Sequence, residues 1–92
     1  MDNMLDMRKR MDDGTYDLTL LIGDNTYFNF YESINTDAAK DVVRNYLFDN
    51  DDDADYKDVT IDHNKNRHIV TINAKLDYIN REHKDYNYRG TM

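Results

Sequence analysis

Ten residues from Asp49 to Asp58 hold the densest set of charged, metal-seeking side chains in the chain, in the order Asp49-Asn50-Asp51-Asp52-Asp53-Ala54-Asp55-Tyr56-Lys57-Asp58. Six are Asp and one is Lys, so this short run carries most of the net charge of -7. Carboxylates at alternate positions are the opening of a calcium loop, and Asp49, Asp51 and Asp53 match the first three ligand positions of an EF-hand. The match ends there: the sixth position is Ala54 where the turn needs Gly, and the twelfth is Thr60 where a bidentate Glu closes the cage. A start at Asp51 brings Asp62 to the twelfth position but puts Tyr56 at the sixth.

The three histidines are the other candidate ligands. His63 and His68 flank a hairpin turn, and two imidazoles with a carboxylate can hold a metal, but neither Asp62 nor the distant His83 stands at a spacing that fixes it as the third ligand. Nucleophilic chemistry has no foothold either. The chain has no Cys, its one Ser is Ser33 in a loop segment, and no glycine-rich turn would present a nucleophile or cradle a phosphate. The expectation is no catalytic residue, no metal and no cofactor.

The remaining resource of the run is its charge. Like charges in sequence repel one another and stay solvated, so the run is expected as an acidic loop over residues 49–58, following a helix. At a helix C-terminus it also opposes the macrodipole, which favours cations there. Asp58, Thr60 and Asp62 then project from one side of a strand at a spacing of about 6.8 Å. Rows of carboxylates so spaced imitate a nucleic-acid backbone. Direct nucleic-acid binding is disfavoured by the net negative charge, with Arg8-Lys9-Arg10 the only basic cluster. A basic cleft on a nucleic-acid-binding protein would instead attract this surface, with strong dependence on salt. The expected contact residues are Asp49, Asp51, Asp52, Asp53, Asp55, Asp58 and Asp62, with Tyr56 as an aromatic anchor.

The 92 residues suffice for one domain over 1–92 with a modest core. The absence of Cys suits the reducing cytosol, and no apolar run suggests a signal peptide or membrane span, so a cytoplasmic protein of a bacterial host is expected. Met4, Leu5, Met7, Arg8 and Met11 fall near helical spacing and predict an N-terminal helix over 1–13, stopped by Asp12-Asp13-Gly14. Tyr16, Leu18, Leu20 and Ile22 alternate, as do Phe28 and Phe30, which predicts a hairpin over 15–32 turning at Gly23-Asp24-Asn25 with Leu20 opposite Phe28. Its outer face would carry Asp17, Thr19, Leu21, Tyr27, Asn29 and Tyr31.

Asn35 or Thr36 caps a helix over 36–48, whose apolar stripe is Ala38, Ala39, Val42, Val43, Tyr46 and Leu47. A second hairpin over 59–78 turns at Asn64-Lys65-Asn66-Arg67, with Ile61 opposite Val70 and Val59 opposite Ile72; from about Asn73 a helix is an open alternative. Residues 81–92 read as a loose tail. The predicted fold class is α+β: a four-stranded antiparallel sheet from two hairpins, with a central helix and a short N-terminal helix packed on one face.

Asp outnumbers Glu seventeen to two, Asn and Tyr are abundant, and Pro and Trp are absent, a profile that resembles phage and mobile-element proteins of AT-rich bacteria. The segment Tyr16-Asp17-Leu18-Thr19-Leu20-Leu21, with Asp24-Asn25 and Tyr27-Phe28-Asn29-Phe30, resembles the first hairpin of the uracil-DNA glycosylase inhibitors of small Bacillus phages, which are acidic DNA mimics. In this chain the positions matching that family's strand acid and protruding Phe are Asn29 and about Ala38, so what the resemblance implies is the strategy. Small, acidic, Cys-free α+β proteins are also similar in kind to phage anti-CRISPR proteins that occupy the DNA-entry or PAM-reading site of a CRISPR nuclease, where Arg side chains read the DNA. The expected function is an inhibitor of that type, monomeric or homodimeric. A uracil-DNA glycosylase inhibitor weighted on Asp17, Tyr27 and Tyr31 is the alternative, and a structural or assembly module a third.

Overall fold

The computed structural model describes residues 4–78. Six elements follow in order: β1 (Met4–Arg10), β2 (Tyr16–Gly23), α1 (Asp24–Phe30), α2 (Thr36–Asp49), β3 (Asp55–Asn64) and β4 (Ile69–Asp77). The four strands form one antiparallel sheet in the order β1-β2-β4-β3. Four antiparallel strands and two helices confirm the α+β class. The expected tail over 81–92 lies outside the described residues, as does His83.

Two parts of the expected architecture are corrected. Residues 4–10 form an edge strand in place of the N-terminal helix, pairing with β2 from Met4 opposite Ile22 to Arg10 opposite Tyr16. The stop at Asp12-Asp13-Gly14 is instead the turn of this first hairpin: Gly14 sits at φ 88, and Asp13 Oδ1 accepts from the Thr15 amide and hydroxyl at 3.0 and 2.6 Å. Those two bonds hold the Asp13 carboxyl below the ordinary carboxylate range. The second correction follows from the first. Strand β2 carries β1 on one edge and β4 on the other, so 26–30 has no edge to join, and Asp24–Phe30 turns into a short helix. Tyr27, on the predicted wet face, is fully buried and donates to the Ser33 carbonyl at 2.7 Å, while Phe28 and Phe30 are exposed.

Helix α2 forms where expected. The Asn35 side chain accepts from the Ala38 amide at 2.8 Å, and Ala39, Val42, Val43, Tyr46 and Leu47 are buried. They pack on the alternate residues of the central strands, Leu18, Leu20 and Ile22 of β2 and Val70, Ile72, Ala74 and Leu76 of β4. Residues 73–77 continue as strand, which closes the alternative of a helix there. The second hairpin turns over 65–68, one residue later than expected, so Ile61 faces Ile72 and His63 faces Val70. The shift is even in register, so the apolar faces still agree. A bulge between Lys57 and Thr60 puts Asp58 at φ 54, a left-handed position that favours glycine.

Both helices cover the same sheet face. The other face is open, with rows Leu5-Leu21-Thr71-Asp62, Met7-Thr19-Asn73-Thr60 and Lys9-Asp17-Lys75-Lys57 read across the four strands.

Candidate interaction surface at the acidic end

The end of α2 decides how the Asp run is presented. The helix closes with a Schellman motif, in which the Asp52 amide donates to the Leu47 carbonyl at 2.8 Å and the Asp51 amide to the Phe48 carbonyl at 3.1 Å. The left-handed residue of such a motif is usually Gly; here it is Asp51, at φ 52. The chain then crosses the end of the sheet to start β3 at Asp55, which pairs with Asp77.

Asp52 turns inward on this path. Its carboxylate meets Arg8 of β1 at 2.6 Å and accepts from the Tyr78 hydroxyl at 2.9 Å, and its other oxygen caps the Ala54 amide at 3.1 Å. Arg8 also reaches the Tyr78 hydroxyl at 2.8 Å and the Tyr46 hydroxyl at 3.2 Å, and lies over the Tyr46 ring; Tyr46 in turn donates to Asp6 at 2.5 Å. Burial works against the Asp52 charge, but the bonds from Arg8, the Ala54 amide and Tyr78 outweigh it and hold the carboxyl below its ordinary range. Burial, with Asp6 for one and Asp52 for the other, pushes the Tyr46 and Tyr78 phenols up. With its side chain 11 % exposed, Asp52 belongs to the framework and is removed from the expected contact set.

The other expected acids do reach solvent. Asp49, Asp51, Asp53, Asp55, Asp58 and Asp62 are exposed. Asp51, Asp53 and Asp55 lie at the end of the sheet where the β1–β2 turn adds exposed Asp12 and Asp13 and β4 adds Asp77. Asp58 opens on the uncovered sheet face in a shallow hollow with Asp17, Thr19, Asn73 and Lys75. Asp62 lies farther along the edge strand, toward the other end. That other end carries Lys65, Arg67, His63 and His68 in and beside the β3–β4 turn. At the acidic end Lys9, Arg10, Lys57 and Lys75 stand within the last two rows of the sheet before Asp55 and Asp77.

Tyr56 is no projecting anchor. It is half-buried and packs against the core under α2. The most exposed aromatics among the described residues are Phe48, 80 % exposed next to Asp49, and Phe30, 62 % exposed. Phe30 borders a hollow of about 170 Å³ that Met4, Tyr31, Val42, Tyr46 and Asp49 also line. Sequence reasoning passed over Phe48, although a signal was there: it falls off the stripe formed by Ala39, Val42, Val43, Tyr46 and Leu47.

The residues weighted by the alternative reading have other duties. Tyr27 is in the core, Asp17 is exposed on the open face between Lys9 and Lys75, and Tyr31 donates to Asp41 at 2.7 Å. Burial first, then Asp41, pushes the Tyr31 phenol up to about 12. The bonds from Tyr31 and Arg44 hold Asp41 low.

The histidines meet a carboxylate that the sequence did not single out. Asp24, 9 % exposed at the start of α1, places Oδ2 at 3.1 Å from His63 Nε2 and 3.3 Å from His68 Nδ1, and its amide donates to the His68 carbonyl at 2.8 Å. The His63 contact is the main reason that its carboxyl is held low. Asp62 points to the opposite sheet face from His63 and does not join them. Among the described residues no group of three His, Cys, Asp or Glu side chains has the arrangement to hold a metal ion, and no helix is long and apolar enough to cross a membrane. Comparison with family models, with curated protein sequences and with solved structures returned no match.

Proposed function

We propose that this chain is a small acidic inhibitor of the phage type, which occupies the basic nucleic-acid-binding cleft of a host nucleic-acid-processing protein, a CRISPR nuclease foremost. The single observation that carries the reading is the gathering of exposed carboxylates at one end of the sheet: Asp51, Asp53 and Asp55 from the run, Asp12 and Asp13 from the first turn, with Asp49 beside them. Such a concentration is attracted to a groove lined by Arg and Lys. Two backbone positions add support. Asp51 and Asp58 hold left-handed conformations in which Gly would be easier, so carboxylates stand where local stability alone would not put them. Phe48, exposed among these acids, is the aromatic anchor of the contact.

The test is capture from bacterial lysate by the tagged chain at low and then moderate salt, beside a variant with Lys at Asp49, Asp51, Asp53 and Asp58 and with Asp52 retained. Recovery of one nucleic-acid enzyme by the parent alone, and its release by salt or by duplex DNA, is the expected result. Recovery of the same proteins by parent and variant would overturn the proposal. A uracil-DNA glycosylase among the captured proteins would select the alternative target within the same strategy.

A further inference from the structure

The edge of the sheet opposite β3 is formed by β1, and among the described residues no strand pairs with its outer side. An unpaired edge leaves a row of amides and carbonyls able to accept another strand. Natural edges are commonly blunted by charges turned inward, and β1 does carry Asp6, Arg8 and Arg10 on its inner face. Two of these, however, are tied down beneath the strand, Arg8 by Asp52 and Asp6 by Tyr46. On the open face β1 presents Leu5 and Met7, 69 % and 52 % exposed, next to half-buried Leu21 of β2. The strand also carries three bases against one acid in a chain that is acidic as a whole.

We propose that β1 pairs with β1 of a second copy, antiparallel about a twofold axis through Met7, joining two four-stranded sheets into one of eight. The register follows from the faces and the charges. A twofold axis perpendicular to the sheet keeps the helix-covered faces on one side, so opposed residues must share a face and the axis must pass through a residue rather than between two. Centring on Asp6 would oppose Asp6 to its own copy, and centring on Arg8 would do the same for Arg8, like charges directly opposite in each case. Met7 is the middle of the seven residues Met4–Arg10. Centring there pairs the strand along its whole length, sets Asp6 opposite Arg8 of the second copy twice, and lays each Lys9 stem over Leu5. Met7 then packs on Met7 across the axis, which covers the exposed apolar corner. The proposal makes no use of the exposed carboxylates of the Asp run; of that run only Asp52 reaches β1, beneath the strand at Arg8.

A chain without Cys makes the register directly measurable. In this pairing the two Met7 Cα atoms stand about 4.5–5.5 Å apart, within disulfide reach. The two Leu5 positions are separated by four residues along the strands, roughly 14 Å, and are out of reach. The experiment is sedimentation equilibrium of the full chain from tens to hundreds of micromolar, together with mild oxidation of Met7→Cys and Leu5→Cys. The expected result is a twofold mass, rapid covalent dimer from Met7→Cys and little from Leu5→Cys. Met7→Lys, which sets two ammonium groups on the axis at an exposed position, should return the monomer with unchanged circular dichroism and at least a tenfold weaker association. A parent that stays monomeric over the whole range would overturn the proposal. So would a dimer that Met7→Lys leaves intact, or cross-linking of Leu5→Cys as fast as Met7→Cys. The variant with Lys at Asp49, Asp51, Asp53 and Asp58 should still dimerise, which separates this proposal from the inhibitor reading.

Discussion

The two edge strands solve the same problem with opposite chemistry. β3 lies against α2 through the alternate residues Val59 and Ile61 and through Tyr56, which the bulge between Lys57 and Thr60 returns to the same face. β1 turns Asp6, Arg8 and Arg10 to the same face, and what fastens it is the polar network of Arg8, Tyr46, Asp52, Tyr78 and Asp6. Burial of apolar area is tolerant of small displacements, whereas a network of charge-assisted bonds fails when one member goes, because the partner is left desolvated and unpaired. The β1 edge should therefore be the brittle one.

That contrast sets the largest expected effect. Arg8→Ala strands Asp52 and loosens three hydroxyl and carboxylate contacts at once, and should cost about 2–3 kcal/mol in urea unfolding, the range for bonds to charged groups. Hydrogen exchange at the amides of β1 should rise well before that of β3. Ile61→Ala, on the inner face of the other edge, removes half-buried methyl groups and should cost about 2 kcal/mol, with exchange in β1 unchanged. Equal exchange profiles for the two variants would dissolve the distinction between the edges.

The same difference explains which parts of the fold were legible. α2 was readable because its cap and its stripe agree, Asn35 at the start and Ala39, Val42, Val43, Tyr46 and Leu47 inside. The β3–β4 hairpin was readable for the same reason, and its register was off by an even step because the bulge at Asp58 and the exact turn are set by backbone conformations that side-chain alternation does not record. β1 was not readable. Its inner face is charged, so alternation there carries no hydrophobic signal, and Met4, Leu5, Met7 and Met11 imitated a helix. Once β1 is taken for a helix, β2 lacks a neighbour, and Phe28 and Phe30 are drawn into a strand to supply one. Of the contact surface, the exposed acids followed from their mutual repulsion. The inward turn of Asp52 did not, since it depends on an Arg forty-four positions away in the chain.

Acid titration separates the network from the rest. The Asp52 carboxyl is held low in the folded protein, so its contribution is complete above the ordinary carboxylate value of about 3.9 and is lost as pH falls toward the depressed value. Asp52→Asn should lower stability at neutral pH by about 1–2 kcal/mol. It should also make the decline below about pH 4 shallower than in the parent, as measured by urea midpoints at a series of pH values. Asp13, Asp24 and Asp41, whose carboxyls are lowered as well, contribute to the decline that remains. An unchanged acid limb in Asp52→Asn would mean that Arg8 does not hold the carboxylate.

The smallest effect in stability is the most informative for function. Asp51 occupies the left-handed position of the Schellman motif and sits at a helix C-terminus, where a negative charge opposes the macrodipole. Asp51→Gly should therefore raise stability by about 0.5 kcal/mol, and Asp53→Asn, exposed one residue beyond the network, should change it by less than that. If the acidic end exists to meet a basic cleft, the same two substitutions should weaken binding to the captured target and flatten its dependence on salt, since each removes a carboxylate that the cleft would pair. A gain in stability with a loss in binding at Asp51 would mark this residue as held against the preference of its own backbone. A gain in stability with binding unchanged would leave the turn without a functional reason for its charge and would move attention to Phe48 and the neighbouring acids.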